Sequence, residues 1–179
     1  MDHRDHVRLI RDGIVGAGTT WADYGAGSGA FTLALADLLG PGATIHAVDR
    51  DAHALEDLGE AMRARFPATV LHRVVADFTR PLELPPLDGL VMANSLHFVR
   101  DKAPVLALVV RHLRPGGRLV LVEYEADQGN PWVPFPLSYR SWERLATTAN
   151  LTGTRRLASM PSRFLGSIYA ALSLAGPAS

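Results

Sequence analysis

The stretch "DYGAGSGAF", Asp23–Phe31, decides how this chain is read. It begins inside the short apolar run "TWADY" and leads into "AFTLALADLLG", which is apolar nearly all round and stops at Gly40. That predicts a buried strand, a tight turn and a buried helix ended by glycine. Such a turn is where an α/β sheet holds a nucleotide or charged ligand, because glycines let the backbone approach it and the helix start offers free N–H groups. Gly25, Ala26, Gly27 and Gly29 are the expected cradle. An earlier cluster, "GIVGAG" at Gly13–Gly18, lacks this context. "RLIRDGIV" is too charged for a buried strand, the third glycine position falls on Trp21, and no apolar helix follows. That cluster reads as a linker.

Working outward, Val7, Ile10 and Ile14 fall at helical spacing among charges, which predicts a short amphipathic helix. Strands are expected at "ATIHAVDR", "TVLHRVVAD", "LDGLVMANSL" and "RLVLVEYE", with helices at "DAHALEDLGEAMRARF" and "DKAPVLALVVRHL" between them. The proline-rich "FTRPLELPPLDG" is expected to be a loop. Strands alternating with helices, the strands β-branched and mostly uninterrupted, indicate a parallel sheet with helices on both faces. After it come an aromatic loop, a helix at "SYRSWERLATTANL" capped by Ser138, and two strands, "TGTRRLAS" and "SIYAALSL", expected as an antiparallel hairpin at one sheet edge. The expectation is an α/β, three-layer, doubly wound fold in one domain over residues 1–179, with 1–19 a short helix and linker.

Bulk chemistry narrows the partners. Eighteen basic residues balance eighteen acidic ones, so the broad positive field of a nucleic-acid binder is absent and no nucleic-acid partner is expected. No cysteine is present, which removes disulfides, thiolate zinc sites and a cysteine nucleophile. The histidines do not follow a metal-ligand spacing, so no metal site is expected. No apolar run approaches the roughly 20 residues of a membrane span, and the charged start lacks a signal core. A soluble, cytoplasmic protein is expected.

"GAGSGA" also fits the dinucleotide form of the glycine motif, so the motif alone leaves the ligand open. Asp49 ends the second strand roughly 20 residues on, where a carboxylate accepts from ribose hydroxyls. Asp23 stands just before the turn, where its charge opposes a pyrophosphate and suits an ammonium or sulfonium cation. Asp77 and Phe78 end the third strand, a carboxylate for an amino group beside a ring for a base.

With these pieces in order, the chain resembles the class I S-adenosylmethionine-dependent methyltransferases, and among them the small enzymes of the ubiquinone/menaquinone-biosynthesis type. "DYGAGSGAF", "HAVDRD", "VVADF", "LDGLVMANSLHFVRDK" and "LRPGGRLVLVEYE" match the family's motifs from about Trp21 to Glu125. The resemblance implies a Rossmann-like seven-stranded sheet of order 3-2-1-4-5-7-6 with the seventh strand antiparallel. It implies S-adenosylmethionine as cofactor, S-adenosylhomocysteine as product and a small-molecule acceptor with an O, N or C nucleophile. Its cofactor residues map onto Asp23, Gly25, Ala26, Gly27, Gly29, Asp49, Arg50, Asp77, Phe78, Asn94, Ser95 and His97. His97 is the candidate general base, since imidazole titrates near neutral pH. Glu123 and Tyr124 are further candidates at the end of the fifth strand. Trp132, Phe135, Tyr139 and Trp142 either wall an apolar acceptor or belong to the core. The family's longer N-terminal lid is replaced by residues 1–19, which predicts an open acceptor site, one completed by a partner such as a second copy, or one built for a large acceptor. Two rival functions remain: a nicotinamide-dependent oxidoreductase, or a binding or scaffold protein that kept the fold.

Overall fold

The computed structural model describes residues 1–177. The strands are β1 (Thr20–Tyr24), β2 (Thr44–Asp49), β3 (Val70–Val75), β4 (Leu87–Ala93), β5 (Leu113–Tyr124), β6 (Leu151–Pro161) and β7 (Ser167–Ala175). The helices are α1 (His3–Ile14), α2 (Ala30–Leu39), α3 (Ala52–Arg65), α4 (Lys102–Val110) and α5 (Tyr139–Thr148). All seven strands form one sheet in the order β3-β2-β1-β4-β5-β7-β6, the order that the resemblance implies. β1 to β5 pair in parallel, and β7 runs antiparallel to both β5 and β6.

The uninterrupted apolar strands are explained by burial on both faces. Trp21, Ile45, Val91 and Val120 point into a core with α1, α2 and α3. Their immediate neighbours Ala22, Leu90 and Leu119 point the other way, into a core with α4 and α5. No helix lies between β3 and β4, as the prolines require. Leu82 and Leu84 of that loop pack on the α4–α5 side. His112 Nε2 lies 3.0 Å from the Leu82 carbonyl and His112 Nδ1 3.1 Å from the Tyr24 hydroxyl. A carbonyl only accepts, so Nε2 donates to it and the neutral ring's Nδ1 accepts from Tyr24. That fixes where the bulky Tyr24 ring goes: away from the glycine turn's ligand side, and burial pushes its hydroxyl pKa up.

Three local readings are refined. β5 starts earlier than "RLVLVEYE": Leu113 pairs with Leu87, "RPGG" bulges out, and pairing resumes at Arg118 with Gly89. A short 3₁₀ turn, Leu96–Phe98, follows β4. The first glycine cluster is packing and linker: Gly13 lies inside α1, where a Cβ would meet the Val120 side chain at 2.7 Å.

Candidate active site

Parallel strands leave their carboxyl ends on one edge, and the chain turns there after β1, β2, β3 and β4. After Tyr24 it turns on Gly25, at φ 77°. A Cβ at Gly25 would sit 2.4 Å from Ser95 Cβ, so only glycine fits between the ends of β1 and β4. The N–H groups of Gly25 and Ala26 both donate to Val48 O, at 2.9 and 3.1 Å, which ties the turn to β2. Gly29, at φ 88°, caps α2 without a side-chain hydrogen bond.

Asp49 has two tasks. Its Oδ2 accepts from Gly27 N at 2.7 Å and its Oδ1 from Asp51 N at 2.9 Å. The carboxylate therefore shapes the glycine loop, and each oxygen keeps a lone pair for a further donor. The cap of α3 is Asp51 itself, which accepts from His53 N and Ala54 N. Asp77 Oδ1 accepts from Thr79 N at 2.9 Å and Thr79 Oγ1 at 2.7 Å, which holds this carboxyl below the usual carboxylate range. The Phe78 ring lies 6.0 Å from that of Tyr24, nearly parallel to it. Ser95 Oγ donates to Tyr24 O at 2.7 Å. Asn94 adopts a left-handed backbone, φ 52°, and its Oδ1 is buried without a hydrogen-bond partner.

Gly25, Asp49, Arg50, Asp77, Phe78, Asn94 and Ser95 line one cavity of about 260 Å³. Its polar side chains include two carboxylates, Asp49 and Asp77, and the unpartnered Asn94 oxygen, beside one cation, Arg50. That set suits a ligand presenting an amino group, ribose hydroxyls and a cation, and it does not suit a pyrophosphate. The unsatisfied Asn94 oxygen is a ready acceptor for an ammonium. Asp23 sits behind the turn, outside the cavity lining, 1% exposed, and accepts from Thr32 Oγ1 at 2.7 Å. Burial pushes its carboxyl up to about 7, and the nearby Asp49 charge adds to this. Asp23 thus lies behind the loop and outside the cavity lining.

A family profile described as a methyltransferase domain matches residues 22–119, more than half of the chain. The chain belongs to the methyltransferase domain family. An uncharacterized methyltransferase of Mycobacterium tuberculosis is 35% identical to it over 111 residues, which are 62% of this chain and 42% of that protein. The chain thus spans less than half the length of the curated relatives it matches. The YcgJ protein of Bacillus subtilis superposes with a TM-score of 0.76 at 13% identity, over 98% of this chain and 100% of that one. A SAM-dependent methyltransferase of Methanosarcina mazei gives 0.73 at 18% identity, over 94% and 98%. The fold is that of the SAM-dependent methyltransferases, as the five motifs implied.

The remaining candidates separate. Tyr124 lines a second cavity, of about 420 Å³, which shares Asn94 with the first. Glu123, expected as a substrate contact, is fully buried. It accepts from the backbone N–H groups of His97 and Tyr124 at 3.0 and 3.1 Å and from His97 Nδ1 at 3.1 Å. His97 is 3% exposed and lines neither cavity; its ring packs 4.2 Å from that of Phe98 and 5.4 Å from that of Tyr124. Trp132, Phe135 and Tyr139 do not gather into an acceptor wall. Trp132 is 75% exposed, Phe135 packs against Arg100 and Lys102, and Tyr139 packs against Tyr169 and Arg156. Trp142 is core. The reason is topological: α5 turns onto the sheet's α4 side and carries Tyr139 and Trp142 with it, whereas the loop before it spans the strand ends, with Phe135 N donating to His97 O at 3.0 Å and Val133 packed in the core of α1 to α3.

Sequence reasoning missed Thr79, Phe98 and Val99 around the first cavity and Ser162, Arg163 and Phe164 around the second. No local signal marks "PSRF"; only the antiparallel return of β7 beside β5 brings it to the strand ends. It also missed that His46 and His72 face each other across β2 and β3, with rings 4.7 Å apart. Among the described residues no group of three or more His, Cys, Asp or Glu is placed to hold a metal. No helix among them is long and apolar enough to cross a membrane.

Proposed function

We propose that this chain transfers a methyl group from S-adenosylmethionine to a small-molecule acceptor. The observation that carries the reading is the acceptor-rich cavity at the ends of β1 to β4, with Asp49, Asp77–Phe78 and the unpartnered Asn94 oxygen around it. Asp49 would take the ribose hydroxyls, Asp77 and Phe78 the adenine, and the Gly25–Gly29 loop with Asn94 and Ser95 the amino-acid end. When bound, the cofactor supplies an electrophilic methyl group on a sulfonium. A nucleophile on the acceptor would take that methyl and leave S-adenosylhomocysteine, and a proton lost by the nucleophile would pass to solvent. The protein's work is alignment and exclusion of water.

His97 is read as a positioning residue. A carboxylate only accepts, so Nδ1 donates to Glu123, and the pair props the Phe98 wall of one cavity and the Tyr124 wall of the other. Glu123→Gln replaces an acceptor of three hydrogen bonds by an amide that presents two donors of its own. Stability should fall by about 1–3 kcal/mol in urea unfolding. An unchanged midpoint would show that Glu123 does not hold this corner.

Calorimetric titration with S-adenosylhomocysteine, with NADH in parallel, tests the function. Binding of S-adenosylhomocysteine alone is expected. Binding of NADH alone would return the loop to the dinucleotide class, and binding of neither would leave a scaffold.

A further inference from the structure

The second cavity has its own chemistry. The ends of β4 and β5 supply Asn94 and Tyr124, and the turn between β6 and β7 supplies Ser162, Arg163 and Phe164, with Ile168 beside them. The Phe164 ring stands edge-on to the Tyr124 ring, with centroids 6.4 Å apart, and Ser162 lies beside the Tyr124 hydroxyl. The walls are therefore largely apolar and aromatic, a surface for a ring or a short hydrocarbon body.

Among the described residues Arg163 carries the only charged side chain in this lining, which Met1 and Pro161 also border. It is exposed, and among the described residues it makes no ion pair and no side-chain hydrogen bond. Several other arginines are tied down: Arg118 to Gly13 O, Arg155 to Asp12 O, Arg156 to Glu125 and Arg114 to Asp88. The turn that carries Arg163 is held in place. Ser162 N donates to Gly166 O at 2.8 Å, Phe164 N to Ser162 Oγ at 3.2 Å, and Asn130 Nδ2 to Phe164 O at 3.3 Å. An unpaired guanidinium on a pinned turn at the mouth of an apolar cavity is a site for an oxyanion, because its fork of N–H groups matches carboxylate and phosphate geometry.

We infer that this cavity takes the methyl acceptor, and that the acceptor is an apolar, ring-sized molecule carrying an oxyanion bound by Arg163. The inference rests on the methyltransferase reading above, since Asn94 lines both this cavity and the cofactor cavity and so sets the two side by side. The aromatic walls hold the body, and Arg163 fixes which end points outward.

The test is a binding panel with protein saturated in S-adenosylhomocysteine. The probes are 3-hydroxyphenylacetate, phenyl phosphate and 2-naphthoate, with neutral 3-hydroxyphenylacetamide as control. The expected result is that at least one anionic probe binds roughly tenfold or more tighter than the amide, a step worth one charged hydrogen-bonded contact. Arg163→Gln should remove that preference and leave S-adenosylhomocysteine affinity unchanged. Preference for the carboxylates or for the phosphate identifies the oxyanion. Equal binding of acid and amide, binding of none of the probes, or an acid preference that survives Arg163→Gln overturns the acceptor assignment while the cofactor site stands. Failure of S-adenosylhomocysteine to bind the unaltered protein overturns both, and is read separately before any probe is added.

Discussion

Asp49→Ala is expected to weaken S-adenosylhomocysteine binding by roughly two to four orders of magnitude, the cost of two lost charge-assisted hydrogen bonds at about 1.5–3 kcal/mol each. The carboxylate is proposed to take both ribose hydroxyls while its oxygens hold Gly27 N at 2.7 Å and Asp51 N at 2.9 Å. The substitution therefore removes ligand contacts and also frees the loop that shapes them. Asp49→Asn separates the two effects. Its single carbonyl oxygen still accepts from Gly27, so the loop should persist while affinity falls about tenfold, one charged contact's worth. Calorimetry gives the affinities, and thermal unfolding without ligand gives the cost to the fold. An alanine variant that binds within about threefold of the parent protein would show that the ribose is held elsewhere.

The second large effect is on stability, and it runs against intuition. Asp23 is fully buried, and its carboxyl is raised from 3.8 to about 7, first by burial and then by the Asp49 charge. Below pH 3.8 the group is protonated in the folded and unfolded chains alike. Between 3.8 and about 7 the unfolded chain has lost the proton and the folded chain keeps it, so folding stability falls as pH rises. Above about 7 both forms are ionised and the full penalty stands. Asp23→Asn keeps an oxygen for the Thr32 hydroxyl and has no charge to bury. Between about pH 5.5 and about pH 8 the variant should gain about 2 kcal/mol on the parent protein, from a slope of about 1.4 kcal/mol per unit up to the folded pKa. Urea unfolding at several pH values measures this directly. Parallel stability curves for the two proteins would mean that Asp23 ionises in the fold as it does in water. The carboxylate that costs stability is proposed to be kept for the ligand's cation, so the same variant should bind S-adenosylhomocysteine about tenfold more weakly near pH 8, the loss of roughly 1.4 kcal/mol of electrostatic attraction.

Both predictions concern residues that the sequence marks, and the reason is local. A glycine turn leaving a strand and entering a helix is set by neighbours in the chain. So is an acidic residue at a strand end. Gly25, Asp49 and Asp77–Phe78 could therefore be placed before any fold was known, and the structure gathers them into one cavity. Where Glu123, Trp132, Phe135 and Tyr139 would sit was not legible, because it depends on which way a side chain faces. Glu123 turns inward to three N–H donors, and α5 carries Tyr139 and Trp142 onto a sheet face.

The sequence by itself determined the α/β class, the strand and helix order and the proposed cofactor half of the site. Periodicity, glycine turns and strand-end carboxylates are short-range features that the backbone must obey wherever it folds. Only the tertiary structure decided the proposed acceptor half. It brings Asn94 and Tyr124 of the central sheet beside Arg163 and Phe164 of the terminal hairpin. That meeting depends on β7 inserting antiparallel between β5 and β6, a long-range pairing that closes more than forty residues of chain between Glu123 and Tyr169. The family resemblance implied the strand order, but which residues of the hairpin meet Asn94 and Tyr124 was not legible in any run of neighbouring residues, because that meeting forms between segments distant in sequence.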